Sequence, residues 1–120
     1  MKKPTKSYLI KKLDIAFAKH IKRAGVCQRC GKAEHLNCAH AYSRAKMSIR
    51  WYDDNAFCMC VGCHFFWAHR NPLEFASWVQ KTLGDERFAA LILKSNKHKK
   101  WSIEEMQERL KELESLNSCQ

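Results

Sequence analysis

Residues 27–64 hold the side chains best suited to do chemistry. They read Cys27-Gln28-Arg29-Cys30, then Cys38-Ala39-His40, then Asn55, then Cys60-Val61-Gly62-Cys63-His64. Two residues between paired cysteines let both sulfurs reach one metal ion at about 2.3 Å, so two C-x-x-C pairs fit a tetrahedral Zn²⁺ site. A histidine between the pairs and another directly after the second add acid–base and cation-binding groups that a purely structural zinc knuckle does not need. Thioredoxin-type redox chemistry is the other reading of a C-x-x-C, and two such pairs with no βαβ pattern around either speak against it.

Length and charge narrow the classes. A chain of 120 residues makes one domain with a limited core, for which a metal staple is physically useful. The formal net charge is +10, and it is unevenly placed. Residues 1–100 hold 20 Lys/Arg against 7 Asp/Glu, whereas residues 101–120 hold 2 against 5. A basic body of this kind suits a polyanion, nucleic acid first, with a merely solvating surface as the plainer alternative. There is no apolar run long enough to span a bilayer and no signal-peptide core, so no membrane partner is expected and a cytoplasmic, reducing location follows. The seven cysteines then read as metal ligands and buried thiols rather than disulfides.

The elements that must position these groups are legible in outline. Residues 7–24 carry a helical pattern with Leu9, Leu13, Phe17 and Ile21 on one side, Thr5 or Ser7 able to cap the start, and Gly25 as the stop. Residues 26–31 form the first knuckle, with Gly31 permitting the tight turn. Strands are expected at 35–42 and 56–60, and a helix from Cys60 to His69. Asn71 should cap a helix with Pro72 at its first position, ending at Gly84. Asp85 should cap another through about Lys94, and Ser95–Lys100 is a polar, lysine-rich connector. Ser102-Ile103-Glu104-Glu105 is a capping box that opens the last helix. The apolar stripe Ile103, Met106, Leu110, Leu113 and Leu116 on that helix suits docking on the core, or a homodimer seam as the sharper reading. The expected organisation is a basic N-terminal helix (1–25), a zinc core (26–70) and a C-terminal helical extension (71–120) in one compact unit.

Knuckle, β-hairpin, then a helix opened by the second C-x-x-C is the order of a treble-clef zinc unit. It assigns Cys27, Cys30, Cys60 and Cys63 to structural Zn²⁺, worth on the order of 10 kcal/mol to folding in such small units. Cys58 competes with Cys60, and Cys60 is preferred because Cys60-x-x-Cys63 repeats the Cys27-x-x-Cys30 spacing. Cys38, Cys58 and Cys119 are then ordinary thiols.

His40 on the first strand, Asn55 in the connecting loop and His64 at the helix start, nine residues after Asn55, resemble the His-Asn-His (HNH) nuclease motif. The wider string is similar to phage NinG (Rap) recombination endonucleases over roughly residues 10–85. The similar segments are Lys12-Leu13-Asp14 with Phe17 and Ile21, Cys27-x-x-Cys30-Gly31-Lys32, His40-x-x-Ser43-Arg44, Arg50-Trp51-x-x-Asp54-Asn55 and Cys60-x-x-Cys63. The resemblance implies an α+β fold with a small ββα-metal core flanked by helices. It implies a phage-encoded enzyme that hydrolyses DNA phosphodiester bonds in recombination or processing, with branched DNA a possible substrate and the bacterial host cytoplasm as its location. It implies His40 as general base, Asn55 as the residue that orients it, and His64 as ligand of a catalytic Mg²⁺ or Mn²⁺. Arg44 would contact the phosphate.

The sequence departs from many HNH enzymes at Ala39, where an Asp or His often ligates the cation. The further ligands open to it are His69, Asp53 and Asp54, and His69 lies five residues on rather than the helical three or four. DNA contact is expected along Lys11, Lys12, Lys19, Lys22, Arg23, Arg44, Arg50 and the lysines of 94–100. Two classes therefore remain: a metal-dependent DNA endonuclease, favoured by His40 with Asn55, and a non-catalytic zinc module that binds nucleic acid or protein, favoured by Ala39.

Overall fold

The computed structural model describes residues 3–118 and is α+β, with one two-stranded antiparallel sheet among helices. Cys119 lies outside the described residues. Helix α1 spans Lys6–Lys22, and Thr5 caps it by accepting the Tyr8 backbone N–H at 3.1 Å. Its last turn carries Lys19 and Lys22, cations that suit the negative end of the helix dipole. Gly25, at φ +75°, then turns the chain into the first cysteine pair.

Strands β1 (Leu36–His40) and β2 (Ala56–Cys60) pair with Leu36 opposite Cys60 and His40 opposite Ala56. The loop between them contains two single helical turns, Met47–Ile49 and Asp53–Asn55. All five β2 residues are buried, because both faces of the sheet are covered. An uncharged Ala-Phe-Cys-Met-Cys run suits a strand with no solvent face. A helical segment follows at Gly62–Ala68, then α2 (Pro72–Leu83), α3 (Asp85–Ser95) and α4 (Ile103–Ser118).

Two apolar clusters hold this arrangement. One packs Ala39, Phe57 and Met59 of the sheet against Ile49, Val79 and Leu83 with Leu91 of α3. The other packs Leu9, Leu13 and Phe17 of α1 against Trp51, Ala56 and α4 residues Met106 and Leu113. Leu13, Phe17 and Leu113 are buried almost completely, each worth about 1.5–3 kcal/mol of transfer free energy. The C-terminal stretch therefore divides: α2 and α3 serve one cluster, and α4 returns to lie on α1. Met106 and Leu113, from the stripe considered as a dimer seam, are buried within the chain.

The capping box opens α4 as expected, with the Glu105 N–H donating to Ser102 Oγ at 3.1 Å and the Ser102 N–H to Glu105 Oε1 at 3.0 Å. Two other expected caps differ. The Asn71 amide turns back to donate to the Trp67 carbonyl at 3.0 Å instead of capping α2. Asp85 is already the first residue of α3, and Gly84, at φ +85°, is the junction for both helices. A positive φ is open to glycine and costly to the other residues, so Gly84 sets the corner.

Candidate metal centre and cleft

The Sγ atoms of Cys27, Cys30, Cys60 and Cys63 all lie within 4.8 Å of one another, close enough to bind a metal ion such as zinc. Sulfurs around a tetrahedral Zn²⁺ with ~2.3 Å bonds stand about 3.8 Å apart. Cys30 and Cys60 Sγ are 3.6 Å apart. The first knuckle is closed by backbone bonds from the Gly31 N–H to Cys27 O (2.8 Å) and from the Cys27 N–H to Lys32 O (2.7 Å), with Gly31 at φ +83°. Burial pushes the Cys27 thiol up, but the N–H groups of Cys60, Cys30 and Arg29 outweigh it and bring it down to about 6. The Cys63 N–H, 3.5 Å from Cys60 Sγ, lowers Cys60 likewise. Amides aimed at sulfur favour the thiolate, the form that ligates metal. Arg29 closes the outside of the cluster: its guanidinium lies 3.6 Å over the Trp67 ring and donates to Cys63 Sγ at 3.5 Å.

Cys58 is not in this cluster. It faces Cys38 across the sheet, and its backbone is bonded to Gln28, whose N–H donates to Cys58 O at 2.8 Å while Gln28 Oε1 accepts the Cys58 N–H at 2.7 Å. Burial pushes Cys38 up to about 12 and raises Cys58 as well, but it also pushes Cys63, inside the cluster, up to about 12, so position rather than the shift sets Cys58 apart.

A cleft of about 770 Å³ opens between α1, the end of β1 and the Gly62–Ala68 segment, and His40, His64, His69, Arg44 and Asp14 all line it. His40 Nε2 stands 3.2 Å from the Arg50 carbonyl. A carbonyl oxygen can only accept, so Nε2 carries the proton and Nδ1 keeps its lone pair. Phe17 packs beside the ring at 5.7 Å. Burial pulls the His40 pKa below the ordinary 6.5, against the Arg50 carbonyl, which raises it; Arg44 and Arg50 lower it and Asp14 raises it.

Asn55, fully buried, clamps the loop that leads into Arg50. Its Oδ1 accepts the Tyr42 N–H at 2.7 Å, and its Nδ2 donates to Tyr42 O and Ile49 O, both at 3.2 Å. One amide thus clamps both ends of the 42–49 loop, and Arg50 follows directly. The far side of this loop is held by Asp14, which accepts from Arg50 Nη2 (2.7 Å), Arg50 Nε (3.1 Å), Trp51 Nε1 (2.9 Å) and Arg44 Nη1 (3.4 Å). In the sequence Asp14 shows only as part of a similar segment. A lone acidic residue on a basic helix was the available signal.

The Gly62–Ala68 segment is wider than an α-helix, with the His69 N–H bonding His64 O five residues back at 3.1 Å. That width puts residues five apart on one face, and the His64 and His69 rings stand 4.6 Å apart. His69 therefore meets His64 although it lies five residues on rather than three or four. Burial lowers the His64 pKa, and His69 and His40 lower it further. His64 Nδ1 is buried without a hydrogen-bond partner. His64 and His69 stand side by side on one wall of the cleft.

Asp53 and Asp54 do not join this site. Asp53 pairs with His20 (3.1 Å) and Arg109 (3.0 Å), Asp54 pairs with Arg87, and both face a separate hollow beside α3. Ala39 is buried on the opposite sheet face from His40, so a ligand there would sit in the core. Of the expected DNA contacts, Lys11, Lys12, Lys19 and Lys22 are exposed along α1, with Lys12 and Lys19 lining a groove toward α4 and its Glu114. Arg44 is exposed at the cleft. Arg50 is largely buried on Asp14, and Arg23 donates to the Leu116 carbonyl, so both are engaged within the chain. Among the described residues no helix is long and apolar enough to cross a membrane.

No protein-family model, curated protein or solved structure matches this chain.

Proposed function

We propose that the chain is a zinc-stapled, divalent-cation-dependent DNA endonuclease of the HNH type that hydrolyses phosphodiester bonds. The observation that carries this reading is the convergence of His40, His64, His69 and Arg44 on one cleft, with His40 bonded to the Arg50 carbonyl, which directly follows the loop that Asn55 clamps at Tyr42 and Ile49. Zn²⁺ in the four-cysteine cluster would tie the first knuckle to the helical segment that carries His64. Removing it would release both walls of the cleft.

Each side chain has a role that its surroundings suit. His40 Nδ1 takes the proton from an attacking water, and burial keeps the ring neutral near pH 7. The Arg50 carbonyl accepts from Nε2 throughout, so the ring does not turn as it becomes charged. Arg44, held loosely at 3.4 Å from Asp14, offers its remaining N–H groups to the phosphate. His64 and His69 would hold Mg²⁺ or Mn²⁺. When bound, such a cation polarises the scissile phosphate and stabilises the leaving oxygen.

The test is nicking of supercoiled plasmid and of branched DNA by zinc-loaded protein with added Mg²⁺ or Mn²⁺, for wild type and His40→Ala. The reading expects cleavage that needs the added cation and falls about 10²–10⁴-fold in the variant, with zinc content and DNA affinity unchanged. Equal cutting by the variant, or none by wild type on any DNA, leaves the zinc-stapled binding module in its place. The buried Ala39, which supplies no ligand, favours that second reading.

A further inference from the structure

A second hollow, of about 550 Å³, lies between the loop after β1 and the connector from α3 to α4. Lys46 stands on one wall; Lys97, His98, Lys99 and Lys100 stand on the other. All five are exposed. Lys99 pairs with Glu105 at 2.8 Å and lies over Trp101. Lys46, Lys97 and Lys100 take part in none of the ion pairs found among the described residues. Basic residues after a helix can simply answer the negative end of its dipole, but that effect dies away within the last turn. It does not account for Lys46, which comes from another element.

The connector is also fixed rather than loose. At its start Ser48 Oγ donates to the Lys94 carbonyl at 2.7 Å, and the Lys94 ammonium lies 4.6 Å over the Tyr52 ring. At its end Trp101 Nε1 donates to the Met47 carbonyl at 2.8 Å, and the Trp101 ring packs edge-on against Trp51 at 5.1 Å. Both ends are thus tied to the loop that carries Lys46. Like charges are held together before any partner arrives, which lowers the ordering cost of binding a polyanion.

The groove and the histidine cleft share a lip at Ser43, which lines both. We propose that this lysine groove seats the nucleic-acid backbone flanking the cleft, with the strand passing from Arg44 over Ser43 to Lys46, Lys97 and Lys100. The three residues from Ser43 to Lys46 reach at most about 10 Å. With one charge per ~3.4 Å of axis on each strand, the groove meets phosphates within about three positions of the one at Ser43. The path rests on the nuclease reading; occupation of the groove by a backbone does not.

The test measures equilibrium binding to a 20-base-pair duplex across a salt series, with zinc-loaded protein and no other divalent cation. It compares wild type, the triple variant Lys46→Ala/Lys97→Ala/Lys100→Ala, and a control of equal charge loss, Lys6→Ala/Lys81→Ala/Lys111→Ala, at exposed sites away from the groove. Every phosphate that a removed lysine no longer neutralises flattens the log–log salt slope by about 0.9, so the groove variant should be shallower than wild type by up to about 2.7. The control should keep the wild-type slope. A groove-variant slope equal to wild type or to the control overturns the proposal, as does wild type that binds no duplex. Loss of binding to polyglutamate with unchanged duplex binding also overturns it and assigns the groove to an acidic protein. A flattened slope in a protein that never cuts supports the groove while the nuclease reading fails; normal cutting with an unchanged slope does the reverse.

Discussion

Replacing Asn55 by aspartate changes one group of atoms and should undo the loop clamp in a pH-dependent way. The Tyr42 N–H keeps its acceptor, but the amide that donated to Tyr42 O and Ile49 O at 3.2 Å becomes an oxygen facing two oxygens. Each buried carbonyl left without its donor costs about 1–3 kcal/mol, so Asn55→Asp should lose about 2–6 kcal/mol. That is a large share of the ~5–15 kcal/mol of a whole domain. The introduced carboxyl is fully buried, so its folded pKa rises above the unfolded ~3.9. The folded state then holds the proton more tightly than the unfolded state does. The protonated variant is at its most stable below ~pH 3.9, and that contribution is lost as pH rises through the folded value, by about 1.4 kcal/mol for every pH unit that separates the two values. Thiolate–metal binding weakens in acid for both proteins, so the quantity to measure is the difference between variant and wild type. Urea midpoints of zinc-loaded protein at pH 5.5 and pH 8 give it. The gap should widen toward pH 8. A gap that stays constant or narrows, or a variant as stable as wild type at pH 8, would refute the clamp argument.

Cys30→Ser should lose tightly held zinc and most of the cooperative fold, whereas Cys58→Ser should keep both; elemental analysis with circular dichroism separates them. Equal zinc loss in the two would return Cys58 to the ligand set. His69→Ala should leave the fold intact and raise the Mn²⁺ concentration for half-maximal cleavage at least about tenfold, since one of two facing imidazoles is gone; an unchanged Mn²⁺ titration would make the His64–His69 pair incidental. Cleavage rate should fall as pH drops through the His40 value, because protonation removes the base, and burial places that limb below the ordinary 6.5.

The parts legible in the sequence were those set by neighbours in the chain. Thr5 as a cap, the Ser102–Glu105 box, the helix from Pro72 to Gly84 and the choice of Cys60 over Cys58 all rest on spacings of a few residues. The two strands were legible too, each within a residue or two of its end. What escaped was decided across the fold. Asp53 and Asp54 look available to a cation in sequence, yet His20, Arg109 and Arg87 arrive from other elements to claim them. Arg50 looks like a surface cation, and Asp14, thirty-six residues earlier, draws it inward. The fate of His69 depended on a helix turning by five residues, which no local pattern announced.

The contact between Gln28 and Cys58 has a consequence for solubility. A two-stranded sheet has two open sides, and an unpaired row of N–H and C=O groups invites another chain to add itself. On β2 that row belongs to an uncharged apolar run, the composition most prone to such pairing. Gln28 fills the middle of it by supplying both a donor and an acceptor to Cys58, as a one-residue stand-in for a third strand. Gln28 holds that position because it lies between two cysteines of the cluster. A metal ion in that cluster would therefore also guard against self-association. A chelator should turn a clear solution turbid, with light scattering rising as zinc is removed, whereas a soluble, monomeric apo-protein would show that the strand is guarded in some other way.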